Sequence, residues 1–137
     1  MVQDRAELND ALAAQAFRTF SVQIANLSGT LLTINTFLLT GGSWVTPPQG
    51  GGPINPGQTQ NYDNYTDQPY TGLGGTISLS PTTGGTITVT WSWPWGSLAT
   101  GSTTVANVTG ISVASNVINQ NTNNPILQVT ITNASSS

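Results

Sequence analysis

Gly84-Gly85-Thr86-Ile87-Thr88-Val89-Thr90-Trp91-Ser92-Trp93-Pro94-Trp95-Gly96-Ser97 is the stretch on which the fold turns. In it Ile87, Val89, Trp91 and Trp93 alternate with Thr86, Thr88, Thr90 and Ser92. A period of two sets the apolar side chains on one face of a strand and the hydroxyls on the other. Pro94 ends the ladder, because it has no N–H to donate. Trp95 and Gly96 then follow in a turn or loop. Three of the chain's four tryptophans are thus gathered at one strand end. Trp91 continues the buried face, and Trp93 could belong to either side. Trp95 either folds back as a plug over the open end of a core or stands in solvent.

The same alternation recurs on both sides of this stretch. Residues 19–26 carry Phe20, Val22 and Ile24, and residues 30–39 carry Leu32 and Ile34 after the Ser28-Gly29 turn signal. Two strands so joined predict a hairpin. Residues 41–60 hold Pro47, Pro48, Pro53 and Pro56 with the Gly50-Gly51-Gly52 run, and read as loop. Within them Trp44-Val45 suits a short edge piece, and Gly57–Tyr62 a polar strand. Residues 61–73, with Tyr62, Asp63, Tyr65, Asp67, Pro69 and Tyr70, read as a second loop. Strands return at 75–80, 103–108, 111–118 and 126–132, marked by Ile77, Leu79, Val105, Val108, Ile111, Val113, Val117, Leu127, Val129 and Ile131. Short strands at this spacing with Gly, Pro and Asn turns predict an all-β antiparallel sandwich or barrel.

Only the N-terminus reads otherwise. Residues 4–17 are Ala-rich, with Leu8, Leu12, Ala16 and Phe20 at intervals of four. Asp4, Glu7 and Asp10 come early and Arg18 late, the order a helix dipole favours. We therefore expect a helical extension over residues 1–18 and a β-sandwich domain over 19–137. The extension could pack on the body, pack on another copy or lie on a membrane.

Charge narrows the function classes. The 137 residues contain two Lys and Arg together, five Asp and Glu, no His and no Cys, for a net charge of −3. Beyond residue 18 the ionic charges are Asp63 and Asp67. A nucleic-acid groove needs several cationic phosphate contacts, so nucleic acid is not an expected partner. Attraction to an anionic membrane fails likewise. Disulfides and thiolate metal sites have no ligands. Catalysis would fall on Asp63 and Asp67, either as a carboxylate pair or with Asn64 as a Ca²⁺ site. Nothing in the sequence fixes their separation, so no enzyme activity, cofactor or metal is expected. Sequons at Asn26, Asn64, Asn107 and Asn133 matter only where the source glycosylates.

The aromatic residues are the candidates for binding. Tyr and Trp suit a membrane interface, where the ring is apolar and its polar tip stays wet. Tyr62, Tyr65 and Tyr70 could frame a choline-like cation or could cover the core beneath a loop. With no charge attraction, useful affinity needs a specific headgroup contact or several copies.

Trp91-Ser92-Trp93-Pro94-Trp95-Gly96-Ser97 resembles the aegerolysins, small acidic β-sandwich proteins in which Pro-Trp-Gly-Ser follows an aromatic strand. The resemblance extends loosely over Phe20–Thr132. Phe20-Ser21-Val22-Gln23-Ile24-Ala25-Asn26 is similar to the family's opening strand, Gly42-Ser43-Trp44 to a Trp-bearing segment, and Gly75-Thr76-Ile77-Ser78-Leu79 to the strand before the signature. Many aegerolysins have a cysteine where Trp93 stands, carry more charge, and lack a counterpart to residues 1–18. An amphipathic segment ahead of a sandwich resembles instead the actinoporins. The aegerolysin resemblance implies recognition of membrane lipids, such as sphingolipid–sterol mixtures or ceramide phosphoethanolamine. It also implies cytolysis by pore formation, alone or with a perforin-like partner, and carries over to Trp44, Trp93, Trp95 and the Pro94–Gly96 turn.

The expectation is a lipid-binding protein and a cytolysin (a hemolytic, pore-forming toxin) or its lipid-recognising component, with Trp44, Trp93, Trp95, Tyr62, Tyr65 and Tyr70 at the membrane. It would act at a target membrane after secretion or leaderless release, as a monomer or a homo-oligomer. The alternative is a self-assembling structural or cytoplasmic inclusion-forming subunit without lipid activity, since uncharged strand edges favour association.

Overall fold

The alternating stretch forms a strand over Thr86–Trp93, with Ile87, Val89, Trp91 and Trp93 all buried. The structure, a computed structural model, describes residues 18–68 and 70–134. Its strands are β1 (Arg18–Asn26), β2 (Leu32–Gly41), β3 (Ser43–Trp44), β4 (Pro53–Ile54), β5 (Thr59–Thr66), β6 (Leu73–Pro81), β7 (Thr86–Trp93), β8 (Thr100–Ala106), β9 (Ile111–Ile118) and β10 (Ile126–Asn133). They make two five-stranded sheets, ordered β3-β5-β1-β10-β9 and β4-β2-β6-β7-β8. The pairing of β1 with β10 is parallel, Val22 opposite Leu127 and Ile24 opposite Val129. The other strand pairs are antiparallel. The chain is thus an all-β sandwich. The helix expected over residues 4–17 lies outside the described residues, and β1 opens at Arg18.

One apolar layer lies between the sheets. Phe20, Val22 and Ile24 of β1 join Leu127, Val129 and Ile131 of β10, and face Ile77, Leu79, Ile87, Val89 and Trp91. Each such side chain contributes about 1.5–3 kcal/mol by leaving water. Outside, the second sheet carries cross-strand ranks of hydroxyls: Ser78–Thr88–Thr104, Thr76–Thr90–Ser102 and Ser92–Thr100. These ranks solvate the face without ions.

Two buried asparagines tie the sheets together. Asn64 donates from Nδ2 to the carbonyls of Gly41 (2.9 Å) and Ser43 (3.3 Å). Its Oδ1 accepts the Gly74 N–H (2.9 Å) and the Trp91 indole N–H (3.0 Å). Asn26 donates to the Thr30 and Ile54 carbonyls and accepts from the Ser28 hydroxyl and N–H. Both asparagines are fully buried, so neither sequon can carry a glycan on the folded chain, whereas Asn107 and Asn133 are exposed.

The structure corrects three local expectations. β1 and β2 are not a hairpin but belong to opposite sheets. The Asn26–Ser28–Thr30 hydrogen bonds bend the chain across the sandwich instead of back along β1. β5 continues to Thr66, through half of the stretch expected to be loop, because it pairs with β1 from Arg18↔Thr66 to Ala25↔Thr59. The proline-rich loop contains a two-residue strand, β4, against Leu32 and Thr33. Pro53 is tolerated there because β4 is an edge.

Candidate aromatic tip with a buried cation

β1 places Arg18 two residues before Phe20, on the same inward face, and the chain folds over it. Arg18 is 4% exposed. A guanidinium N–H donates to the Thr71 carbonyl, and a second contact of 3.5 Å reaches the Trp93 carbonyl. The guanidinium carbon lies 4.2 Å from the Trp93 ring centre and 5.4 Å from that of Trp95. Nε has no partner. No carboxylate pairs with Arg18 among the described residues, and burial alone lowers its pKa. Burying a cation against rings and carbonyls, with no carboxylate beside it among the described residues, is costly.

Two loops meet above it. Gly72, between β5 and β6, lies against the loop that leaves β7: a Cβ there would stand 3.4 Å from Pro94 Cα and from the Trp93 carbonyl. On these loops Tyr70 and Trp95 pack edge to face, with ring centres 4.8 Å apart. Tyr70 is 73% and Trp95 46% exposed, and Leu98 beside them in the second loop is exposed too. Tyr70 holds φ at +68°, the left-handed region that a bulky residue rarely occupies. Holding it costs about 1–3 kcal/mol, which the surrounding packing must supply. Gly96, φ +81°, takes the turn for which glycine suits.

The other candidates divide by position. Trp93 is buried beneath the tip, edge to face with Phe20 at 6.2 Å, with its indole N–H on the Ser97 carbonyl. Trp44 is half-buried between Phe37 and Trp91, at 6.3 and 5.8 Å. The three tyrosines do not form one cage. Tyr62 and Tyr65 are three apart in β5 and so fall on opposite faces, Tyr62 inward and buried, Tyr65 outward and half-buried. Tyr70 alone of the three joins Trp95. Asp63 points outward from β5 and Asp67 lies just past its end, and no group of three acidic, His or Cys side chains gathers among the described residues.

Arg18 is the member of the site that the helical reading of the N-terminus hides. Its signal was nonetheless available: the even-numbered inward set Phe20, Val22, Ile24, counted back by two, reaches Arg18.

No family model matches the chain, and no curated relative matches it. Solved structures do match its fold. The lipid binding protein Nakanori superposes with a TM-score of 0.75 at 12% identity, over 92% of this chain and 77% of that one. IP-1A from Alcaligenes faecalis gives 0.68 at 13%, over 90% and 96%. RahU protein, in complex with a TRIS molecule, gives 0.68 at 17%, over 88% and 98%. The fold is aegerolysin-like.

Proposed function

We propose that this chain is a non-enzymatic, membrane-lipid-binding protein that acts at a target membrane as the lipid-recognising part of a cytolytic system. One observation carries the reading: Tyr70 and Trp95, exposed and locked edge to face, stand over the buried Arg18. The rings suit the interface between headgroups and acyl chains. Beneath them the guanidinium favours a lipid phosphate, while the Tyr70 ring suits a choline-like cation. A zwitterionic sphingolipid presents both groups. The aegerolysin-like fold, shared with a lipid binding protein, supports the same reading.

The magnitude fits weak single contacts. A tryptophan or tyrosine buries ~150–250 Å² when fully covered. At ~25 cal/mol per Å², covering the exposed parts of Tyr70 and Trp95 gives about 4.5–7.5 kcal/mol before ordering costs. Lasting attachment therefore needs the headgroup contact, several copies on one membrane, or a perforin-like partner.

Co-sedimentation with vesicles tests this. Wild type should pellet with sphingomyelin–cholesterol vesicles, and Trp95→Ala should bind at least about tenfold more weakly, the loss of ~1.4 kcal/mol. Release of an encapsulated dye would extend the reading to cytolysis. Equal pelleting of wild type and Trp95→Ala would overturn the site. Lipid-independent filaments that need residues 1–18 would favour the structural-subunit alternative, which the uncharged hydroxyl face of the second sheet suits.

A further inference from the structure

A second site lies away from the aromatic tip, on the edge where β4 and β5 leave the two sheets apart. There a cleft of about 390 Å³ opens between the proline-rich loop and β5. That size is in the range of small-molecule sites. Gln49, Asn55, Gln58, Gln60 and Asn61 line it, with the buried Tyr62 on its wall. Pro47, Pro48 and Pro53 add rigid apolar surface.

The lining is unusual in carrying five carboxamides and no formal charge. Each carboxamide offers both donors and an acceptor. Hydroxyl groups also donate and accept, so a ligand dense in hydroxyls matches this lining. A phosphate, carboxylate or ammonium would lose its hydration there without meeting a counter-charge. Tyr62, whose pKa burial raises, is neutral in the physiological range. The apolar surface for the C–H face of a pyranose comes from Pro47, Pro48 and Pro53, and Tyr62 offers its hydroxyl.

The cleft is also built before any ligand arrives. Ile34 N–H donates to the Gly52 carbonyl (2.8 Å), and Gly51 N–H to the Ile34 carbonyl (2.7 Å). Gln58 Oε1 accepts the Asn55 N–H at 2.9 Å and its Nδ2 at 3.3 Å, which leaves the Gln58 NH₂ to donate. Gln60 faces inward from β5, and neither its amide nor the Tyr62 hydroxyl makes a hydrogen bond among the described residues. A fixed loop with unspent polar groups binds at low ordering cost.

We infer that this cleft binds a neutral saccharide of one or two rings through Gln58, Gln60 and Tyr62, independently of the aromatic tip. The sugar could be a free glycan or the headgroup of a glycolipid, and the test separates them.

The ¹⁵N-labelled full chain is titrated with methyl β-D-glucopyranoside, methyl β-D-galactopyranoside and N-acetyl-D-glucosamine. Saturable shifts of the Gln58 and Gln60 side-chain amides are expected at millimolar concentrations with at least one of them. Gln60→Ala should weaken that binding by about tenfold, the loss of one or two hydrogen bonds. Tyr62→Phe, which keeps the ring and the fold, should weaken it less, and Trp95→Ala should leave it unchanged. Vesicles containing glucosylceramide then distinguish the sources. Tighter binding than to the free glycosides, sensitive to Gln60→Ala, assigns a glycolipid headgroup, and no gain assigns a free glycan. No saturable shift of these amides with any of the three sugars overturns the inference, as do shifts that Gln60→Ala and Tyr62→Phe leave undiminished. Gln60→Ala should still pellet with sphingomyelin–cholesterol vesicles, so failure here is separable from failure of the lipid reading.

Discussion

Arg18 holds its charge between the Trp93 ring and two backbone carbonyls, and that arrangement depends on the flat guanidinium. A lysine carries the same charge but has no planar guanidinium to lay over the Trp93 ring. Arg18→Lys should therefore destabilise by about 1–2 kcal/mol, read as a fall in Tm of roughly 3–8 °C for a domain of this size. Burial lowers the Arg18 pKa from the ordinary arginine value. Tyr62 behaves differently. Burial raises its pKa above the ordinary value of about 10, so the folded state keeps a proton that the unfolded state gives up. The stability this confers is fully present below pH ~10 and is lost as pH rises through the raised value. Thermal unfolding between about pH 8 and 11.5 should show that decline, and Tyr62→Phe should flatten it. An equally steep decline in the variant would remove Tyr62 as its source.

At the scale of elements, Asn64 is the point where β2, β3, β5, β6 and β7 meet. Asn64→Leu keeps the branched shape but strands the Trp91 indole N–H, the Gly74 N–H and the Gly41 carbonyl. At about 1–3 kcal/mol for each unpaired group, the loss should exceed ~3 kcal/mol and lower the denaturation midpoint without changing the slope. Gly75 is a second constraint: a Cβ there would meet the Leu38 carbonyl at 2.7 Å and the Trp91 ring at 2.8 Å. The carbonyl belongs to the β2–β6 ladder and cannot retreat, so Gly75→Ala should cost about 1–3 kcal/mol by the same measurement. These joints mark what could be read from sequence and what could not. The alternation of β1, β7, β9 and β10 is a local property, so their existence and inward faces were legible, Trp91 included. Whether β2 follows β1 in one sheet or crosses to the other depends on Asn26 reaching Ile54, a contact 28 residues away. The site divides the same way. The Trp-Pro-Trp-Gly stretch was legible as a turn, with Trp95 open between plug and solvent, whereas the meeting of Tyr70 with Trp95 required two loops 25 residues apart to cross.

Across the whole molecule, charge is almost absent. The net charge is −3, and the described residues contribute Arg18, Asp63 and Asp67 to it. A protein steered to membranes by surface charge loses affinity as salt rises, because exposed charges are screened beyond ~10 Å at 0.1 M. Here the two loops supply apolar rings, and the cation beneath them is shielded from bulk ions. Binding to sphingomyelin–cholesterol vesicles should therefore vary by no more than about twofold between roughly 0.05 and 0.5 M NaCl. Salt that strengthens apolar burial, such as sulfate, should if anything increase it. A tenfold loss over that range would mean that exposed charge, not the Tyr70–Trp95 tip, makes the first contact. Wild type and Trp95→Ala would then fall in parallel, whereas recognition through the tip keeps them apart at every salt concentration.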